Sequence, residues 1–225
     1  YNKILLTLLS SPNITSKHFV YNQYDSTVRS NTVQGPGGDG AVIRLKGTNK
    51  GLAISTDCNG RYVYLNPRIG GQIAVAEAAR NVVCSGGDPI AITNCLNFGN
   101  PQDPEIYWQF REAVTGIGEA CRSLNTPVTG GNVSFYNETG KSAVYPTPVI
   151  GMVGLLENIE QNTTMEFKAA GDFIVTLGAL NGNLGGSEYL RTIYDKIQGP
   201  IPHLNMELEM GVQELCLEAI KKGIV

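Results

Sequence analysis

The stretch Thr126 to Glu138, TPVTGGNVSFYNE, collects the residue types from which a phosphate and metal contact can be built. Gly130 and Gly131 stand side by side, and a backbone without Cβ atoms lets a ligand come close to its N–H groups. An amide (Asn132), a hydroxyl (Ser134) and a second amide (Asn137) follow. Side-chain oxygens placed after a glycine turn can ligate a hard cation such as Mg²⁺ while the backbone holds phosphate oxygens. The same string also reads as a plain hairpin or loop with polar neighbours, and its spacing leaves both open.

Other polar residues raise similar alternatives. In GPGGDG, Gly35 to Gly40, Asp39 precedes an apolar run; its carboxylate suits Mg²⁺ or ordinary turn chemistry. Glu77 and Asn81 are four apart in AVAEAARNVV and so share one helix face. A partly buried Glu needs a partner, and pairing with Arg80 or Arg111 competes with metal binding. Asn94 and Asn97 bracket Cys95 at a strand end, where α/β folds collect ligand groups. Tyr107, Trp108 and Phe110 sit at helical spacing, which points to core packing. His18 and His203 are isolated, so neither a nucleophilic triad nor a zinc site is visible, and no residue stands out as a general base.

The elements that must position these groups alternate. An apolar helical turn at Ile4 to Leu9 ends near Ser11-Pro12. Strands are expected at Ala41–Leu45 and Leu52–Ser55, then a helix from Gly70 to Gly87, then a strand from Asp88 to Leu96. Asp103 caps a longer helix that opens with Pro104. Thr126 to Gly131 leads into the glycine turn, Val133 to Tyr136 continues as strand, and Val144 to Leu156 reads as a strand pair broken by prolines. A new strand is expected at Gly171–Leu177, a second glycine-rich turn with a short helix at Asn181–Leu190, and an amphipathic helix at Asn205–Gly223. This order predicts an α/β protein with α+β layering, several strands being antiparallel because their links are short. A domain boundary falls near Leu156 to Lys168.

Composition narrows the class. With 16% charged and 42% hydrophobic residues, 225 residues suffice for a packed core. A net charge of −3 with scattered basic residues gives no nucleic-acid footprint, and a phosphate-handling protein of this charge calls for a cation. Five cysteines without a CxxC pair suit free thiols in a reducing compartment, and no run approaches a membrane span; a cytoplasmic location is expected. Tyr1 at the start and a helical pattern at the end read as a chain cut from something longer at both ends.

Long ordered strings add a resemblance. STDCNGRYVYLNPRIGGQIAVAEAARN (Ser55 to Asn81), DPIAITNCLNFGNPQDPE (Asp88 to Glu105), PVTGGNVSFYNET (Pro127 to Thr139), YPTPVIGMVGL (Tyr145 to Leu155) and LGGSEYL (Leu184 to Leu190) resemble the second half of the large subunit of small-type phosphoribosylformylglycinamidine synthases. The likeness runs from Leu8 onward. It implies two tandem repeats similar to aminoimidazole ribonucleotide (AIR) synthetase, each with an N-terminal domain built on a dimerising β-sheet with helices and a C-terminal α/β domain. Residues 1–24 would be linker and helix from the preceding repeat, 25–156 the N-terminal domain of the second repeat, and 157–225 the truncated start of its C-terminal domain.

The resemblance implies a ligase of purine biosynthesis. It would convert formylglycinamide ribonucleotide to the amidine with ATP, Mg²⁺ and ammonia from a glutaminase subunit, beside a small accessory subunit and the first repeat of the same chain. A non-catalytic nucleotide-binding module is the alternative. Carried over by position, Asn94 and Gly131 would contact ATP, Asn132 would ligate Mg²⁺ and Ser134 would touch the ribonucleotide. Asp39, Glu77 and Asn81 match residues that hold metal at an auxiliary ADP site. Family members often carry Asp at the Asn94 position. Where the first repeat places its catalytic histidine, this chain reads STDCNGRY, so the chain alone is expected to be inactive. Homodimerisation through an uncovered apolar sheet surface is a further expectation.

Overall fold

The structure is a computed structural model that describes residues 1–140, 142–180 and 182–225. Asn181, the first residue of the expected glycine-rich stretch, lies outside them. Helices α1 (Asn2–Leu9) and α2 (His18–Tyr21) precede strands β1 (Thr32–Gln34), β2 (Ala41–Arg44) and β3 (Gly51–Asp57). Then come α3 (Gly60–Leu65), α4 (Pro67–Cys84), β4 (Asp88–Asn97), α5 (Pro104–Ser123), β5 (Val128–Ser134), the small strands β6 (Glu138–Thr139) and β7 (Ser142–Ala143), and β8 (Thr147–Leu156). Two helices close the chain, α6 (Glu188–Tyr194) and α7 (Met206–Lys221).

Six strands form one sheet in the order β1-β2-β3-β8-β4-β5, antiparallel except for the parallel pair β4–β5. The α/β class expected from the sequence is what the chain adopts. Alternation sets the faces: on β8, Pro148, Ile150, Met152, Gly154 and Leu156 are buried while their neighbours are half-buried. The buried side meets α4 and α5, and the core gathers Val42, Ala53, Val75, Val82, Ile92, Phe98 and Met152 between sheet and helices.

The helix boundaries follow capping chemistry. Asn66 accepts from the Ile69 N–H and Pro67 opens α4, while Asp103 accepts from the Glu105 N–H and Pro104 opens α5. α4 is buried nearly all round, through Ala74, Val75, Ala76, Ala78, Ala79, Val82 and Val83. Small residues let it approach α5 closely: a Cβ on Gly71 would stand 2.6 Å from the Ala113 carbonyl oxygen, and one on Gly116 would overlap that of Arg68.

Three sequence expectations are corrected. Gly130 and Gly131 do not form a turn; they lie inside β5. Val144 to Leu156 holds one long strand, with both prolines accommodated at its start. Gly171 to Leu177 is irregular, and Phe173, Ile174 and Val175 are largely exposed; among the described residues no strand pairs with them.

Candidate functional site

Strands β3, β4 and β5 run in the same direction, so Asp57, Asn97 and Ser134 end at the same side of the sheet. One cross-strand row there joins Asp57 (β3), Ile150 (β8), Asn94 (β4) and Gly131 (β5). Paired positions project to one face, and here Ile150 is fully buried on the helix side. Asp57 and Asn94 are thus two strand spacings apart, about 10 Å, with Ile150 between them.

Asn94 and Gly131 are brought together. A Cβ at Gly131 would overlap both the side-chain and main-chain oxygens of Asn94, so glycine leaves room for that amide. Asn132 pairs in register with Cys95, and Ser134 with Asn97, on the opposite face of the sheet edge. Asn132 is exposed. The Ser134 hydroxyl donates to Asn137 Oδ1 (3.2 Å), and Asn137 Nδ2 donates to the carbonyls of Phe98 (3.0 Å) and Ser134 (2.8 Å), tying the ends of β4 and β5. The four residues expected at the ATP and ribonucleotide site therefore form two pairs on opposite faces of an edge.

Of the residues expected at the auxiliary site, Glu77 and Asn81 lie on α4. Asn81 Nδ2 donates to Asp57 Oδ2 at 2.9 Å. The turn that carries Asp39 abuts the C-terminal end of α4: a Cβ on Gly40 would stand 2.7 Å from Ser85 Oγ and 3.5 Å from the Asn81 carbonyl oxygen. Asp39 itself is exposed. Glu77 and Asp57 line a cleft of about 560 Å³ together with Cys58, Asn59, Gly60, Arg61, Tyr145, Thr147 and Arg191.

The electrostatics of this cleft are unusual. Burial, reinforced by the Glu77 charge, raises the Asp57 carboxyl to about 7, against opposing contributions from the Cys58 N–H, Arg80 and Asn81. Burial also raises Glu77, with Glu209 adding to it and Arg80 opposing. The Cys58 thiol is pushed up to about 12 by burial and by both carboxylates. Neither sequence-level partner for Glu77 forms an ion pair with it: Arg80 donates to Glu209 on α7 (2.8 and 2.9 Å), and Arg111 pairs with Glu112. Two half-buried carboxylates without a balancing salt bridge form a donor set suited to a hard cation. Among the described residues, no group of three or more His, Cys, Asp or Glu is disposed to hold a metal.

Sequence reasoning missed Asp57 and Arg61. The signal available was position: STD closes a strand directly before the helix cap at Asn59, which accepts from the N–H groups of Arg61 and Tyr62. Arg61 in turn pairs with Glu188 at 2.7 Å, joining α3 to α6.

Comparison with known proteins places the chain. Residues 37–156 match the family model described as AIR synthase related protein, N-terminal domain. The chain belongs to this AIR synthase related family. Its sequence is 58% identical over 221 residues to phosphoribosylformylglycinamidine synthase subunit PurL of Alkaliphilus metalliredigens (strain QYMF), covering 98% of this chain and 30% of that relative. Two solved structures of T. maritima PurL are similar in fold. The ATP complex matches at 32% identity with a TM-score of 0.60, over 68% of this chain and 25% of that one. The complex with FGAR matches at 27% identity with a TM-score of 0.62, over 91% and 30% respectively. The chain thus spans only 25–30% of the length of these proteins, and the AIR synthase-like architecture read from the sequence is the one these structures share.

Proposed function

We propose that this chain supplies the second repeat of a phosphoribosylformylglycinamidine synthase, the ATP-dependent ligase that converts formylglycinamide ribonucleotide and ammonia to formylglycinamidine ribonucleotide. The observation that carries the reading is the 58% identity to a PurL subunit across 98% of the chain. Residues 25–156 would form the N-terminal domain of that repeat, and 157–225 the start of its C-terminal domain. The first repeat of the parent chain, a glutaminase subunit and a small accessory subunit are the partners in this reading, and the cytoplasm is its location. No helix among the described residues is long and apolar enough to cross a membrane.

In this assignment Asn94 and the Cβ-free backbone at Gly131 hold ATP, Asn132 ligates Mg²⁺ and Ser134 faces the ribonucleotide. The exposed edge of β5 leaves Asn132 open to groups brought by another repeat. Bound Mg²⁺ would neutralise polyphosphate charge during activation of the amide oxygen. Asp39, Glu77 and Asn81, joined by Asp57, would form the auxiliary Mg-ADP site, which suits the oxygen-rich cleft. The proton acceptor would come from outside this chain, so the chain alone should show no turnover. The half-buried sheet face carrying Leu52, Ile54, Val149 and Val153 is the surface through which a second repeat, or a second copy of the chain, would pack.

Calorimetric titration of the chain with Mg-ADP tests the assignment. Binding lost in Glu77→Ala and kept in Asn132→Ala supports the auxiliary site, while the reverse supports the β5 edge. Binding that survives both substitutions counts against both assigned sites, and the absence of any binding counts against nucleotide recognition by the chain alone.

A further inference from the structure

The glycine-rich string Leu184 to Leu190 sets α6 against the cleft that holds Asp57 and Glu77. Gly186 takes a φ of +66°, and a Cβ there would come within 2.8 Å of the Tyr62 ring on α3; one on Gly185 would overlap the Pro200 carbonyl. Ser187 caps the helix by accepting from the Leu190 N–H. Glu188 then ties α6 to α3 through Arg61 at 2.7 Å, both side chains being largely buried, and accepts from Ser11, Asn13 and Thr192 as well. Arg61 is balanced by this carboxylate and brings no spare positive charge to the cleft. Arg191 differs. It lies three residues after Glu188 and so shares the face of α6 that grips α3. Its side chain lines the cleft and stays about half exposed. Among the described residues its one ion-pair partner is Asp195, four residues on and itself 86% exposed. An exposed pair of this kind contributes little and yields readily to a better anion. Among the same residues, neither Asp57 nor Glu77 is ion-paired with Arg191. One cleft of about 560 Å³ thus presents a carboxylate pair from β3 and α4 and a separate guanidinium from α6.

We propose that Arg191 is the specificity-determining residue of this cleft: it leaves Asp195 and forks onto a phosphate of a polyphosphate ligand whose cation is held by Asp57 and Glu77. The inference rests on the reading of the cleft as a Mg-nucleotide site and adds the group that recognises the phosphate. A planar guanidinium meets two phosphate oxygens at once, which a point charge does not. Asp195 is the resting partner that the phosphate displaces. A nucleoside without phosphates would leave Arg191 on Asp195 and bring no bridging cation to the two carboxylates, so the cleft selects for the polyphosphate. The anchoring of α6 by Glu188 and by the glycines at 185 and 186 holds the guanidinium at the cleft before any ligand arrives.

The test is calorimetric titration with Mg-ADP of the parent chain and of Arg191→Ala, Arg191→Lys and Asp195→Asn, all at one ionic strength. Arg191→Ala should weaken binding by about tenfold to a hundredfold, as expected for loss of charge-assisted hydrogen bonds. Arg191→Lys should recover part of that loss, since the charge survives and the fork does not. Asp195→Asn should tighten binding by about twofold, because it removes the competing carboxylate while Asn keeps the left-handed backbone at 195. This last variant decides the matter even if Arg191→Ala fails to fold. A parent that loses binding in Glu77→Ala but stays within about twofold in Arg191→Ala would overturn the proposal and leave the cleft assignment standing. So would an Asp195→Asn variant that binds more weakly than the parent. Binding indifferent to Glu77→Ala, or none at all, would overturn the cleft assignment and the proposal with it.

Discussion

Asp57→Asn isolates the cost of the acid pair. In the folded chain the Asp57 carboxyl is raised from 3.8 to about 7. At 1.36 kcal/mol per tenfold, that shift is worth about 4 kcal/mol at face value. Solvent enters the cleft and screens the charge, which brings the expected figure down to about 1–2 kcal/mol. The sign follows from proton uptake. The folded chain holds its proton in a range where the unfolded chain has lost it, so stability falls as pH rises from about 4 to about 7. The penalty is absent below the unfolded value and complete above the folded one. Asn at 57 keeps an acceptor for Asn81 and removes the charge. Urea denaturation at pH 4.5 and pH 7.5 should show the variant more stable than the parent at pH 7.5 by about 1–2 kcal/mol, with a smaller gap at pH 4.5. Glu77 is raised too and titrates in the same direction in both proteins, so the difference between them reports Asp57. A variant equal to or weaker than the parent at pH 7.5 would refute the claim that burial and Glu77 strain this carboxylate.

The packing makes a paired prediction about two glycines of α5. Gly116→Ala should destabilise by about 2 kcal/mol or more despite its helix-propensity gain, because the Arg68 carbonyl occupies the space of the new methyl; Gly118→Ala, whose nearest neighbour is Arg122 Nη1 at 3.4 Å, should stabilise by up to about 1 kcal/mol. Chemical denaturation of both variants checks this, and equal effects would refute the account of the α4–α5 contact. Glu188 accepts from Ser11 (2.7 Å), Asn13 (3.0 Å) and Thr192 (2.8 Å) and pairs with Arg61 (2.7 Å). Burial opposes its charge, yet these donors hold its carboxyl at about 2. Its contribution is present above the unfolded value and lost as pH falls from about 4 towards 2. Glu188→Gln should therefore cost about 2 kcal/mol at pH 7, and the cost should shrink below pH 4; a pH-independent loss would mean that the charge is irrelevant.

Local signals carried most of the architecture. Asp103-Pro104 located the start of α5, and the apolar run Val144–Leu156 marked strand, although its prolines suggested a break that the single strand β8 does not have. What failed depended on partners distant in sequence. Gly130-Gly131 looks like a turn because glycine pairs usually are, yet Asn94 on the neighbouring strand is what requires glycine at 131. Gly171 to Leu177 has strand-like residues, but a strand also needs a neighbour to pair with. Asp57 was overlooked because its carboxylate gains meaning only when α4 lays Glu77 and Asn81 over it. Pairing of Glu77 with Arg80 or Arg111 was one of two readings the sequence left open; Glu209, on the last helix, instead offers Arg80 a bidentate contact.

The all-round burial of α4 has a kinetic consequence. A helix wedged between the sheet, α5 and α7 has no direction in which to rotate or slide, so Glu77 and Asn81 present one fixed geometry to any ligand. The glycine turn that bears Asp39 abuts the C-terminal end of this fixed helix and faces solvent. Ligand selection at the cleft therefore falls to side chains that the core holds still.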